Sequence, residues 1–347
     1  MARLRRSDCS GPGITRRRRG RGFEFLDEKG RRIEDPEVIE RIAELAIPPA
    51  WKDVWVCPWP MGHLQATGVD ARGRKQYLYH RKWRERRDQQ KFDEMTDFAR
   101  ALPRMRRRVG KDLKDSELTR RRALACAVRL LDRGFFRVGG EDYAVENETY
   151  GLATIRKSHV SLGDRTIEFD YPAKSGQRRI QSIVDPEVYA IVAELKRRRG
   201  GSAELLAYRD GRRWVDIKSA DINEYVKEVT GGDFSAKDFR TWNATVLAAV
   251  ALAVSGPMAS ASKTARNRAK VRAVKEVAHY LGNTPAVCRA SYIDPRVFDR
   301  FDSGVTIGGA LSDLGETGDI AALHGPVEDA VLDLIAEEES PAIEKVA

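Results

Sequence analysis

The sequence predicts a two-part α+β protein: a small N-terminal antiparallel β-sheet domain, then a larger, mainly α-helical domain that carries a three-stranded β insert. Three observations predict it. The chain of 347 residues is too long for one ordinary domain and has the apolar content for two cores. Short alternating runs fill residues 23–80 and give way to a helical period after about Lys82. Alternation then returns once, between His159 and Val184.

Residues 1–22 hold eight arginines, Arg16 to Arg19 in a row among them, against one acid, and read as a disordered basic arm. The small domain, 23–82, opens with Phe23-Glu24-Phe25-Leu26, turns at Lys29-Gly30 and enters a Pro36-led helix that ends near Leu45. Val54-Trp55-Val56 follows, then two strands around Leu64 and Tyr77 that flank a turn at Asp70 to Gly73. In the larger domain, 83–309, residues 83–108 and 116–132 read as helices, the second with Ser116 as its cap and Leu118, Ala123, Leu124, Ala127, Leu130 and Leu131 on one face. The β insert comprises 159–162, 166–171 and 179–184, and its Pro172-Ala173-Lys174-Ser175-Gly176 turn puts Lys174 at a hairpin tip. Helices resume over 186–199, 220–229, 238–254 and 264–281, before a short segment that holds Tyr292. Residues 310–347 form an acidic tail with an amphipathic helix over 328–339.

Charge and composition narrow the partners. The net charge is +10 even though 310–347 carries ten acids and one lysine, so the body of the chain is strongly basic, the footprint of a protein that follows a phosphate backbone. The longest apolar run, 246–254, is nine residues, under half of the roughly 20 a membrane span needs, and no apolar segment of a signal peptide follows the N-terminal arginines. A cytoplasmic, nucleoid-associated protein is expected. Cys9, Cys57, Cys126 and Cys288 form no C-x-x-C, and His63, His80, His159, His279 and His324 have no ligand spacing, so neither a disulfide framework nor a metal site is expected. Gly308-Gly309 and the glycines at 315 and 318 follow no strand and read as linker.

One ordered set of residues carries chemistry. Arg137, Lys174, a Lys-x-x-Arg cluster ending at Arg240, Gly282-Asn283-Thr284-Pro285 and Tyr292 follow one another along the chain. Two guanidiniums can neutralise the non-bridging oxygens of a phosphodiester, an ammonium can protonate a departing alkoxide, and a phenol can be the nucleophile. Such a set needs no metal and no nucleotide. Taken singly, each residue has a plainer reading: Arg137 as a surface arginine, Lys174 as a solvated turn lysine, Tyr292 as one of ten mostly packed tyrosines. In the small domain, Tyr77 and Tyr79 share one face of a strand that also holds Gln76 and is flanked by Arg72, Arg74, Lys75, Arg81 and Lys82, a face suited to DNA.

The segments Phe135-Phe136-Arg137-Val138-Gly139 and Glu146 to Thr154 resemble the poxvirus-type branch of the type IB DNA topoisomerases. Arg74-Lys75-Gln76-Tyr77-Leu78-Tyr79 is similar to that family's DNA-contacting strand, Lys237-Asp238-Phe239-Arg240 to its Lys-x-x-Arg motif, and Gly282-Asn283-Thr284-Pro285 with Ser291-Tyr292 to its terminal catalytic stretch. The resemblance runs from about Phe23 to Phe301 and implies the recombinase-like catalytic fold, catalytic roles for Arg137, Lys174, Arg240 and Tyr292, and DNA contacts from Gln76, Tyr77, Tyr79 and Tyr143. It implies a monomer acting on duplex DNA without cofactor or obligate protein partner. Asn283 departs from the expected Gly-His-Thr-Pro; its amide can donate to a phosphate oxygen but cannot shuttle a proton near neutral pH. The alternatives are a tyrosine recombinase, which usually has His-x-x-Arg at the Lys237 to Arg240 cluster, and a non-catalytic basic DNA-binding protein, which would leave the ordered set as coincidence.

Overall fold

A computed structural model describes residues 3–259, 262–311 and 324–345; the side chains of Tyr143, Ser175 and 257–259 lie outside the described set. The chain divides into two units, Met1–Phe92 and Asp93–Ala347, ten residues beyond the boundary expected near Lys82.

The first unit is built on strands β1 (Ile14–Arg19), β2 (Gly22–Leu26), β3 (Lys52–Val56), β4 (Leu64–Val69) and β5 (Lys75–Tyr79) in the antiparallel order β2-β1-β3-β4-β5, with helix α1 (Pro36–Glu44) laid against them. Asp35 caps α1 by accepting from the Glu37 N–H, and Pro36 supplies its first turn. Ile14, Ile42, Val54, Val56 and Ala66 form the core, with Phe25, Trp51 and Leu78 against it.

The expected disordered arm is corrected here. Ile14–Arg19 is the strand between β2 and β3, and Arg5 further upstream pairs with Gly62. Four arginines in a row disguise the strand because alternation is invisible when every side chain is the same. Ile14 is the buried anchor, Arg16 folds back to donate to the Trp51 carbonyl at 2.6 Å and stacks over Phe23, and Arg17 pairs with Glu24 at 2.7 Å.

In the second unit the helices are α2 (Arg81–Asp112, which begins in the first unit), α3 (Arg120–Arg133), α4 (Glu141–Asn147), α5 (Pro186–Arg197), α6 (Ser219–Thr230), α7 (Ala236–Ala259), α8 (Lys263–Leu281), α9 (Pro285–Ser291), α10 (Pro295–Asp302), α11 (Gly308–Leu311) and α12 (Pro326–Ala336). The insert is the antiparallel sheet β6-β7-β8 (Val160–Leu162, Ile167–Pro172, Arg178–Ile183). Two smaller pairs, β9 (Ala207–Asp210) with β10 (Arg213–Asp216) and β11 (Val305–Thr306) with β12 (Glu344–Lys345), complete the described strands. The expected Ser116 cap is replaced by Thr119, whose hydroxyl accepts from the Arg122 N–H, so α3 starts later and Leu118 is buried ahead of it.

Helix α7 is apolar on nearly every side, as a helix enclosed by others must be. Phe239, Trp242, Ala244, Val246, Ala248 and Leu252 are all buried. Two expectations at the C-terminus are also corrected. Helix α12 is no appended tail: Val327, Ala330, Val331, Leu334 and Ile335 are buried, Glu328 accepts from the Trp242 indole at 2.8 Å, and Arg106 bridges Glu328 to Asp132. Gly308 and Gly309 open α11, where a side chain on Gly309 would collide with the Pro341 carbonyl, so they are packed rather than linking. The linker reading of Gly315 and Gly318 lies outside the described residues.

Candidate active site

The Gly282-Asn283-Thr284-Pro285 step is a helix stop followed by a helix start. Gly282 adopts φ +61° at the end of α8, where the Asn283 N–H returns to the Ala278 carbonyl and the Gly282 N–H to His279, a Schellman closure that favours glycine. Thr284 then caps α9 by accepting from the Val287 N–H, with Pro285 in the first turn. Asn283 is the one residue of the step left for something other than backbone geometry. Its side-chain oxygen accepts from Arg137, and its side chain also hydrogen-bonds the Tyr292 hydroxyl.

Tyr292 stands between α9 and the Asp294 cap of α10. Thr245 on α7 grips this corner: its hydroxyl lies 3.4 Å from the Tyr292 carbonyl and accepts from the Asp294 N–H at 3.1 Å. The same helix presents Arg240, which is 4% exposed and lies 5.3 Å from the Tyr292 ring centroid. Arg240 donates to the Phe135 carbonyl and, at 2.9 Å, to the Leu281 carbonyl, while its Nε is buried with no hydrogen-bond partner among the described residues.

Arg137 is held by a close backbone crossing. Leu152 and Ala153 donate to the carbonyls of Arg137 and Val138 at 2.8 and 2.7 Å, and Gly139, at φ +82°, meets Gly151 so closely that a Cβ on Gly151 would stand 2.5 Å from the Gly139 Cα. The glycines of these two segments therefore answer to sterics. Tyr150, next in line, donates its N–H to the Pro172 carbonyl at 2.8 Å and so ties the crossing to the β7–β8 hairpin that carries Lys174.

Arg137, Lys174, Arg240 and Tyr292 line one cleft of about 310 Å³, together with Tyr150 and Lys237. Lys174 is exposed and forms no ion pair among the described residues. The electrostatics are those of an anion site. Burial pushes the Arg240 guanidinium down to about 10, helped by repulsion from Arg137 and Arg179 and opposed by Tyr292. Burial acts on the Tyr292 phenol in the opposite sense and would raise it, but Arg240, the Asn283 hydrogen bond and Arg137 together hold it below its ordinary value. The two guanidiniums thus favour the ionised form of the Tyr292 phenol.

Sequence reasoning missed Arg179, which donates to the carbonyls of His279 and Tyr280 at 3.0 and 2.5 Å. The available signal was strand alternation, since Arg179 shares the inward side of β8 with Gln181 and Ile183. In the first unit, Tyr77 and Tyr79 are 45% and 38% exposed, stack at 6.3 Å, and lie on one side of β5 with Lys75. Arg74 and Gln76 are already engaged: both donate to the Asp70 carboxylate, at 2.8 Å each, and that carboxyl sits near 2, chiefly because the Arg74 N–H also donates to it. The side chain of Tyr143 lies outside the described residues; its backbone is in α4. No cluster of His, Cys, Asp or Glu suited to a metal ion occurs among the described residues, and no described helix is long and apolar enough to cross a membrane.

Comparison with known proteins places this geometry. Residues 80–303 match the family described as eukaryotic DNA topoisomerase I, catalytic core, and residues 22–70 match the bacterial DNA topoisomerase IB N-terminal domain. DNA topoisomerase 1B of Acanthamoeba polyphaga mimivirus is 30% identical over 291 residues, covering 81% of this chain and 85% of that protein. DNA topoisomerase 1 of Schizosaccharomyces pombe is 31% identical over 46% of this chain and 19% of its own length, and DNA topoisomerase I of Monkeypox virus is 26% identical over 41% of this chain and 46% of its own. With a catalytic core matched over 224 of its 347 residues and a relative aligned along most of its length, the chain belongs to the type IB DNA topoisomerases.

Proposed function

We propose that this enzyme relaxes supercoiled duplex DNA by nicking one strand with Tyr292, holding the 3′ phosphate as a phosphotyrosyl ester while the duplex rotates, and resealing. The observation that carries this reading is the Tyr292 hydroxyl, bonded to Asn283 and held below its ordinary pKa beside Arg240 and Arg137, in the cleft that Lys174 also lines. In cleavage the Tyr292 oxygen bonds to phosphorus, its proton leaving to solvent, and the bond from phosphorus to the 5′ oxygen breaks. Arg137 and Arg240 neutralise the non-bridging oxygens, Asn283 adds a neutral donor, and Lys174 gives a proton to the departing 5′ oxygen.

Religation runs the same steps backwards, with the 5′ hydroxyl as nucleophile. The phosphotyrosyl ester keeps the energy of the bond it replaces, so the cycle draws on neither nucleotide nor metal. Tyr77, Tyr79 and Lys75 offer the first unit's face to the duplex, by stacking and by charge. The enzyme works as a monomer on the nucleoid, without an obligate protein partner. The test is incubation with negatively supercoiled plasmid in excess chelator and without nucleotide, read as topoisomers on a gel. A ladder of relaxed products is expected, and activity that appears only on adding a divalent cation or ATP contradicts the reading.

A further inference from the structure

The end of α8 has an unusual set of partners. The Schellman closure occupies the carbonyls of Ala278 and His279, leaving those of Tyr280, Leu281 and Gly282 without intrahelical donors. Each is taken by an arginine from a different element. Arg240 of α7 donates to Leu281, Arg137 donates to Gly282 at 3.1 Å, and Arg179 of β8 donates to Tyr280 and also to His279. The negative end of a helix dipole is a favourable seat for all three cations.

Arg179 differs from the other two in the element that carries it: it stands on β8, the strand that leaves the Lys174 turn. Like those of Arg240, both of its terminal nitrogens donate to backbone carbonyls. It sits opposite Tyr171 in the β7–β8 register, five residues after Lys174, and β8 is an edge strand of its sheet. The hairpin tip that carries Lys174 is therefore tied on two sides: through the Pro172 carbonyl to Tyr150, and through Arg179 to the helix end that presents Asn283. Lys174 has no ion pair of its own among the described residues to fix it.

We infer that Arg179 is a positioning residue that acts through Lys174, anchoring the β7–β8 hairpin to the α8 C-terminus so that the Lys174 ammonium stands in the cleft with Arg137, Arg240 and Tyr292. The inference rests on the reading of Lys174 as the group that assists the leaving 5′ oxygen. A side chain on Gly282 would press on the Arg179 Cδ at 3.2 Å, so the tie and the Schellman glycine share one tightly filled corner.

The experiment is single-turnover cleavage of a duplex by the full chain and by Arg179→Ala, Arg179→Lys, Lys174→Ala and the Arg179→Ala/Lys174→Ala double variant. Each is run on an ordinary substrate and on one whose bridging 5′ oxygen is sulfur, which leaves without a proton. Arg179→Ala is expected to slow ordinary cleavage about 10²-fold, the cost of misplacing a reacting group by about an ångström. It should add no more than about twofold in the Lys174→Ala background, as residues acting as a unit do. On the sulfur substrate Arg179→Ala should recover to within a few-fold of the unmodified chain, and Arg179→Lys, which keeps one cationic donor, should fall between.

Multiplicative losses in the double variant overturn the inference, as does equal impairment of Arg179→Ala on both substrates while Lys174→Ala recovers on sulfur. If Lys174→Ala itself fails to recover on sulfur, the general-acid reading falls, and the double variant alone then decides whether Arg179 acts through Lys174. Should Arg179→Ala not fold, judged by thermal unfolding, the same two comparisons are made with Arg179→Lys.

Discussion

Replacing Asn283 probes the site at its most distinctive position, because its side chain joins Arg137 on one side and the Tyr292 hydroxyl on the other. Asn283→Ala leaves the turn intact, since the backbone is held by the Asn283 N–H and by Gly282, and Arg137 keeps its bond to the Gly282 carbonyl. What disappears is one neutral donor, which for an oxyanion is worth about 10²-fold to 10³-fold in rate. Asn283→His restores a donor and should retain much more activity than Ala. Asn283→Asp keeps the shape but places a negative charge beside both the phenol and the incoming phosphate. At about 4 Å and an effective dielectric near 20 that repulsion is on the order of 4 kcal/mol, close to 10³-fold, reduced by the ion pair the aspartate would form with Arg137. The assay is single-turnover cleavage with duplex binding measured alongside. A His variant as slow as Ala, or an Asp variant near the unmodified rate, refutes the donor role.

The remaining predictions concern the packing of α12 and the basic N-terminal strand. Arg106→Met should cost about 3–5 kcal/mol, because it strands Asp132 and Glu328 as buried charges. Burial would raise the Asp132 carboxyl, but Arg106, through charge and hydrogen bonds, holds it below its ordinary value, so its stabilisation is complete above the ordinary range of about 4 and is lost as pH falls through the folded value. Without Arg106 the buried Asp132 carboxyl favours its neutral form, so the gap between the two proteins in urea midpoints should narrow on acidification; parallel curves refute this. Deleting residues 1–22 should unfold the N-terminal sheet, since it removes the strand between β2 and β3, whereas Arg18→Ala with Arg19→Ala leaves the strand and should flatten the log–log salt dependence of duplex binding by about 0.9 for each phosphate no longer neutralised. A truncated chain that keeps its thermal transition contradicts the first expectation, and an unchanged slope contradicts the second.

The elements most legible in the sequence were those whose signal is local. Asp35-Pro36, Asp185-Pro186 and Thr284-Pro285 mark helix starts because a short acceptor followed by proline meets the needs of a first turn. The β insert showed through its alternation and its Pro-to-Gly turn. Less legible was anything decided by what lies across a strand or helix. The Arg16 to Arg19 run is a strand because Ile14 and paired neighbours supply what its composition does not. Helix α12 looks like an acidic tail until Arg106 and Trp242 are seen to meet Glu328. Arg179 was hidden for the same reason: its partners are backbone carbonyls about a hundred residues away, and carbonyls leave no mark in a sequence.

The most direct test of the whole account is Tyr292→Phe. The change deletes one hydroxyl and no cation, so duplex affinity should stay within a few-fold while plasmid relaxation and the covalent protein–DNA adduct vanish together. The measurement is a detergent-resistant adduct on a 3′-labelled and a 5′-labelled strand, with the attached peptide mapped. The account predicts attachment through the 3′ phosphate at Tyr292 in the unmodified chain and none in the variant. A 3′-linked adduct that persists in Tyr292→Phe would place the nucleophile elsewhere and contradict it.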